Sequence, residues 1–173
     1  MATEQVNCVF CSIINRKLPS SIVYEDEDII AFMDINPVNK GHTLVVPKIH
    51  EQYMCDIPDE TSQKIFPLAQ RINKNLRRLS EASDSGIKLE AVNLFLADGI
   101  AAGQEVYHSH LHVIPRFKGD SFKLHNQYGT PPSRQELDAT ANRIKQLLQE
   151  PSTPQPIQSQ TSPKIVPDVI IHN

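Results

Sequence analysis

The chain is defined first by what it has little of. Its 173 residues include no tryptophan and only three cysteines. No run approaches the ~18 consecutive apolar residues that a membrane-crossing helix needs. The start, Met1-Ala2-Thr3-Glu4-Gln5, lacks the basic end and apolar core of a signal peptide. Seventeen Lys and Arg against twenty Asp and Glu give a net charge of -3, so nothing electrostatic favours general nucleic-acid or membrane binding. Three cysteines, two of them in Cys8-x-x-Cys11, make no secreted disulfide framework. The expectation is a cytoplasmic protein with reduced thiols, no membrane and no nucleic-acid partner. Its length predicts one domain with a core that needs no disulfide staples.

What is present concentrates in one stretch, Gln104-Glu105-Val106-Tyr107-His108-Ser109-His110-Leu111-His112-Val113-Ile114. Three of the seven histidines fall there, at every second position. The apolar and β-branched neighbours predict a strand. Alternation then puts His108, His110 and His112 on one face, with Ser109, Leu111 and Val113 on the other. A single such histidine reads equally as a hydrogen-bonded core residue. Three in register, beside Gly103-Gln104, point to chemistry.

The remaining elements follow from periodicity and punctuation. Ser20–Asp26, Ile29–Asp34, His42–Pro47 and Val92–Ala97 predict strands. Asp34-Ile35-Asn36-Pro37 to Gly41 is a loop. Asp59 to Leu79 carries Ile65, Leu68, Ala69, Ile72, Leu76 and Leu79 at helical spacing, with Pro67 expected to kink or offset its early turns. Pro131-Pro132-Ser133 opens a second helix through Leu137, Ala141, Ile144 and Leu147. From Pro151 five prolines fall in 23 residues, with Ser, Thr and Gln between, a composition for extended or disordered chain. The divisions expected are a core over 1–118, an extension over 119–150 and a tail over 151–173. The order is neither alternating βαβ nor all-β, so the class is α+β.

Cys8-x-x-Cys11 allows three readings: a redox pair, two buried thiols, or half of a zinc site completed by two further ligands. His50, after Pro47-Lys48-Ile49, and His108 are candidates for those ligands.

His-Ser-His-Leu-His-Val-Ile resembles the histidine-triad (HIT) pattern, and the likeness takes in Ala102-Gly103-Gln104, Gly41-His42 and Cys8-x-x-Cys11 over roughly residues 6 to 117. The resemblance implies an antiparallel sheet of about five strands with a long helix and a C-terminal helix, often continued across a two-fold homodimer. It implies structural zinc on Cys8, Cys11, His50 and His108. It implies hydrolysis or transfer at the α-phosphorus of a purine nucleotide, by a phosphoramidase or a dinucleoside polyphosphate hydrolase. His110 would be the nucleophile, His112 a hydrogen-bond donor or acid, and His42 a brace for the triad. Asp34 would bind ribose, and Phe10, Ile13, Phe32 and Ile35 would line the purine slot. Gly103, Gln104 and Glu105 would cradle phosphate, Gln104 through its side chain and Glu105 through its backbone alone. Glu105 and Ala97 depart from several relatives, which carry a hydroxyl residue at the first position and Asn or Gln at the second. Two other classes compete: a metallohydrolase using the His-x-His strand, and a nucleotide-binding adaptor whose Pro-rich tail recruits a partner.

Overall fold

The computed structural model describes residues 8–123 and 129–149. The signal-peptide reading of the first five residues and the disorder expected for 151–173 fall outside them. The chain divides into two units, 1–124 and 125–173.

The first unit is built on a five-stranded antiparallel sheet, an α+β arrangement as expected. Its strands are β1 (Ile22–Glu25), β2 (Ile29–Met33), β3 (Thr43–Pro47), β4 (Ala91–Phe95) and β5 (Leu111–Arg116). They lie in the order β1-β2-β3-β5-β4, with β3 and β5 central. Every residue of β3 is buried and so are four of five in β2, which is why both read as continuous apolar runs. The sheet is covered on both faces. On one, Ile29, Ala31, Val45 and Val113 pack against Leu68, Ala69, Ile72 and Leu76 of α2 (Asp59–Glu81). On the other, Ile30, Phe32, Leu44 and Val46 pack against Phe10 and Ile13 of α1 (Val9–Ile14).

The helix spans Asp59–Glu81 with Pro67 inside it, on the exposed side beside Gln63. The carbonyl deprived of its partner there is on the side open to water. Leu79 is 48% exposed, so the buried stripe ends at Leu76.

Gly41 closes the β2–β3 loop at φ +96°, where an added Cβ would sit 3.0 Å from Leu76 and 3.2 Å from Pro115. Both backbone angle and space require glycine at this bend.

The second unit contributes α3 (Arg134–Gln149). Ser133 Oγ accepts from the Glu136 N–H at 3.2 Å, and the Glu136 carboxylate accepts from the Ser133 N–H at 2.7 Å. That reciprocal pair is a capping box.

Candidate active site

The histidine stretch is only partly strand. β5 begins at Leu111, so His112 lies inside it while His108 and His110 precede it. The ladder to β3 runs from Thr43–Val113 to Val45–Leu111. Beyond it comes Pro47, which has no N–H to continue pairing. Its carbonyl instead accepts from His108 Nε2 at 2.8 Å. The approach is also held by the Ser109 N–H donating to Glu51 O at 2.6 Å. The three rings still gather on the α1 side. Phe10 packs edge-on to His108 at 5.9 Å and to His110 at 5.0 Å between ring centroids, and the His110 and His112 rings are 4.7 Å apart.

A carbonyl can only accept, so each ring nitrogen bonded to one carries the proton. For His108 that is Nε2, which leaves Nδ1 as a lone pair. Nδ1 lies 3.5 Å from Cys8 Sγ and 3.6 Å from Cys11 Sγ, and His50 Nδ1 lies 3.1 Å from Cys11 Sγ. All four donor atoms fall within 4.8 Å of one another. Ligand atoms around a tetrahedral zinc are separated by roughly 3.3–3.8 Å, given metal bonds of about 2.0–2.3 Å. The donor set therefore fits a metal of that kind. Local sequence builds it: Cys8 is the N-cap of α1, its sulfur accepting from the Cys11 N–H at 3.4 Å, so one helical turn brings the two thiols together. Burial, with Cys8 beside it, pushes the Cys11 thiol up to about 11, and burial pushes His108 down to about 4. A metal held there would displace the Cys11 thiol proton.

His110 Nδ1 donates to its own neighbour's carbonyl, His108 O, at 2.7 Å. Its Nε2 is then the nitrogen with a free lone pair. Burial lowers its pKa, partly opposed by that hydrogen bond and by the Asp34 and Glu105 carboxylates, so the ring is neutral near pH 7.

A third relay fixes His112. The Val38 N–H donates to His42 Nδ1 at 3.2 Å, so His42 carries its proton on Nε2. His42 Nε2 meets His112 Nδ1 at 3.0 Å. His112 Nδ1 accepts, and its Nε2–H remains to donate. Burial, then His110 and His42, push His112 down to about 3, so it acts as a neutral donor and not as an imidazolium. Asp34, His42 and His112 also cluster closely enough to suggest a metal, but the two imidazole nitrogens are already bonded to each other.

Asp34 commits Oδ1 to an Asx turn, accepting from the Asn36 N–H at 2.9 Å, and its Oδ2, 3.3 Å from His42 Nδ1, makes no hydrogen bond there because that nitrogen already accepts from Val38. It lines a cleft of about 1020 Å³ together with Phe10, Ile13, Phe32, His110 and His112. Ile35 also borders this cleft and is 91% exposed, so it is a rim residue. Ala97 is buried there.

The cradle differs from expectation at one position. Gln104 is 4% exposed and does not line the cleft. Its Oε1 accepts from the Gly99 N–H and its Nε2 donates to Gln52 O, both at 2.9 Å. The side chain ties the 99–104 turn to the segment before α2, and the Gln104 N–H is itself given to Gly99 O at 3.1 Å. Glu105 borders the cleft and is exposed. Gly103 holds φ +86° with nothing near its missing Cβ, so conformation alone demands glycine.

Sequence reasoning missed Phe95, Val106, Ile114 and Phe122, which also line the cleft. Ile114 was available from the same alternation that grouped the histidines. Phe122, in an irregular segment, gave no signal.

Comparison with known proteins agrees with this geometry: the HIT domain family matches residues 15–119. The chain belongs to the HIT domain family. It is 34% identical over 147 residues to an adenosine 5'-monophosphoramidase of Saccharomyces cerevisiae, covering 85% of this chain and 84% of that protein. A crystal structure of a HIT family member from Bacillus subtilis aligns with TM-score 0.71 and 34% identity, over 85% of this chain and 99% of that one. A Zn-bound histidine-triad family protein from Mycobacterium smegmatis aligns with TM-score 0.57 and 35% identity, over 81% and 96%. In this HIT domain Cys8 and Cys11 of the candidate metal group precede the family match, and His50 and His108 fall inside it.

Proposed function

We propose that this HIT domain protein cleaves a purine nucleotide at its α-phosphorus through a nucleotidyl intermediate on His110. The observation that carries the reading is the His110 tautomer, set by its Nδ1 bond to His108 O. Nε2 attacks phosphorus and forms the P–N bond. The bond from phosphorus to the leaving atom breaks, that atom keeps the electron pair with the His112 Nε2–H hydrogen-bonded to it, and its proton comes from solvent. Water then attacks phosphorus and releases its proton to solvent, and the P–N electron pair returns to His110. The backbone N–H of Glu105, following the Gly103 turn, meets the charge that develops on the phosphoryl oxygens. Asp34 accepts from ribose hydroxyls, and Phe10, Ile13, Phe32 and Ile35 bound the base.

Zinc is proposed as the resident metal on Cys8, Cys11, His50 and His108. Four protein ligands leave no open position, so it would hold α1 against the triad and take no part in the chemistry. A two-fold dimer is also proposed, since β4 is an outer strand with Leu94 exposed.

The relative from Saccharomyces cerevisiae points to phosphoramidates among possible substrates. Purified protein should therefore release AMP from adenosine 5'-phosphoramidate. No AMP from that compound, from adenosine 5'-phosphosulfate or from diadenosine polyphosphates would dismiss the reading.

A further inference from the structure

One loop carries Asp34, Val38 and His42, and the Asn39 side chain ties it to β5. Both hydrogens of the Asn39 amide are committed: Nδ2 donates to Pro115 O and to Asp120 Oδ2, each at 2.8 Å. Pro115 belongs to the strand that also carries His112. Asp120 is itself held. Arg116 Nε and Nη2 each donate to its carboxylate at 2.6 Å, and its side chain is only 4% exposed. Arg116 Nη1 donates to Asn93 Oδ1 of β4, and Nη2 donates also to Phe122 O at 2.6 Å. The Asn39 carbonyl closes the loop by accepting from the His42 N–H at 3.1 Å. Asn39 is thus fixed through side chain and backbone alike, and its neighbour Val38 is fixed with it. Asp120 lies just beyond the family match, and no step proposed above uses either Asn39 or Asp120.

The loop decides where a proton sits. His42 Nδ1 has two neighbours, the Val38 N–H at 3.2 Å and Asp34 Oδ2 at 3.3 Å. A neutral ring nitrogen accepts from the first or donates to the second, never both. Either choice passes along the 3.0 Å contact between His42 Nε2 and His112 Nδ1. With Val38 as partner, His42 is protonated on Nε2, His112 accepts at Nδ1, and His112 keeps its own proton on Nε2. With Asp34 as partner, His42 is protonated on Nδ1, its Nε2 accepts from His112 Nδ1–H, and His112 Nε2 is left as a lone pair. The first arrangement offers an N–H to an atom gathering negative charge, and the second repels it. A carboxylate is the stronger partner for an N–H. The Val38 N–H excludes it by its position, because a protonated Nδ1 would face that N–H at 3.2 Å as donor against donor.

We infer that Asn39 and Asp120 are positioning residues: by anchoring the loop to β5 they keep the Val38 N–H on His42 Nδ1, and so keep the His112 proton on Nε2. The consequence for turnover rests on the α-phosphorus reading above, whereas the proton placement does not.

The test is NMR of the full chain labelled with nitrogen-15 in its histidine rings. Ring couplings at neutral pH report which nitrogen of each imidazole is protonated, and the His112 signals are assigned by their loss in His112→Asn. The wild type should show His42 and His112 both protonated on Nε2. Asn39→Ala should move the His112 proton to Nδ1 in a large share of molecules. Asp120→Asn, which leaves the bond to Pro115 O in place, should move it in a smaller share and carries the test if Asn39→Ala fails to fold. Adding Asp34→Ala to Asn39→Ala should return the proton to Nε2, since the competing acceptor is gone. General loosening of the fold would not be reversed by a second truncation. With adenosine 5'-phosphoramidate, kcat of Asn39→Ala should fall about tenfold, the scale of one hydrogen bond, while KM stays within a few-fold. A displaced proton in a chain that releases no AMP would uphold the relay and remove the catalytic reading. A wild-type His112 protonated on Nδ1, or a His112 proton still on Nε2 in folded Asn39→Ala and Asp120→Asn, would overturn the inference.

Discussion

His110 Nδ1 and the carbonyl oxygen of His108 are 2.7 Å apart, and that single bond decides which nitrogen of His110 is nucleophilic. His110→Ala should therefore remove turnover by at least about 10³-fold while nucleotide affinity stays within a few-fold, because the base and ribose contacts remain. Rapid quenching of wild-type protein with substrate should trap an acid-labile nucleotide on residue 110. An adduct elsewhere, or full activity in the variant, would end the mechanism.

The pH dependence follows from burial of the same rings. His110 titrates below the ordinary imidazole range, so kcat/KM should hold level as pH falls through about 6.5 and decline only lower. Stability has the same sign. His42 and His112 are neutral in the fold with lowered pKa values, His112 at about 3, whereas the unfolded chain takes up protons near 6.5. Their contribution is complete above that pH and is lost as pH falls toward the folded values. Urea midpoints recorded from pH 8 to 4 would show it, and a midpoint that rises on acidification would contradict it.

The metal site makes a compositional prediction. Freshly purified protein, never exposed to chelator, should contain about one zinc per chain. Cys11→Ala should lose the metal and lower the melting temperature by more than ~5 °C, since metal binding is coupled to folding. Elemental analysis without zinc would refute the site.

Gln104 should behave as a structural residue. Gln104→Ala leaves the Gly99 N–H and the Gln52 carbonyl without their partner, at a cost of about 1–3 kcal/mol each where water cannot replace it. The expected result is a lower denaturation midpoint, with kcat falling through the loosened cradle and more than KM rises. A variant of unchanged stability and lost phosphate affinity would mean that the side chain reaches the ligand after all.

The sequence alone was enough for much of the frame. Buried β2 and β3 read as apolar runs because both faces are covered, and the α2 stripe from Leu68 to Leu76 read as helix because its period is 3.6. Short-range punctuation marked the Gly41 bend and the Ser133 cap. The histidine spacing, His-x-His-x-His, carried the family, and the order of the elements carried the α+β class. Each of these rests on neighbours within a few positions of one another, where local backbone geometry dictates who shares a face.

The tertiary structure decided the rest. Whether His110 attacks through Nε2, and whether His112 donates as a neutral ring, depends on carbonyl and N–H groups at Pro47, Val38 and His108 that a residue string does not orient. Gln104 left its expected part because its side chain found backbone partners at Gly99 and Gln52. Phe122 entered the cleft through Arg116, Asp120 and Asn39, a contact chain linking positions 39 and 120. Proton placement, side-chain satisfaction and cleft walls are set by which distant groups meet, and only the packed fold brings those groups within hydrogen-bond range.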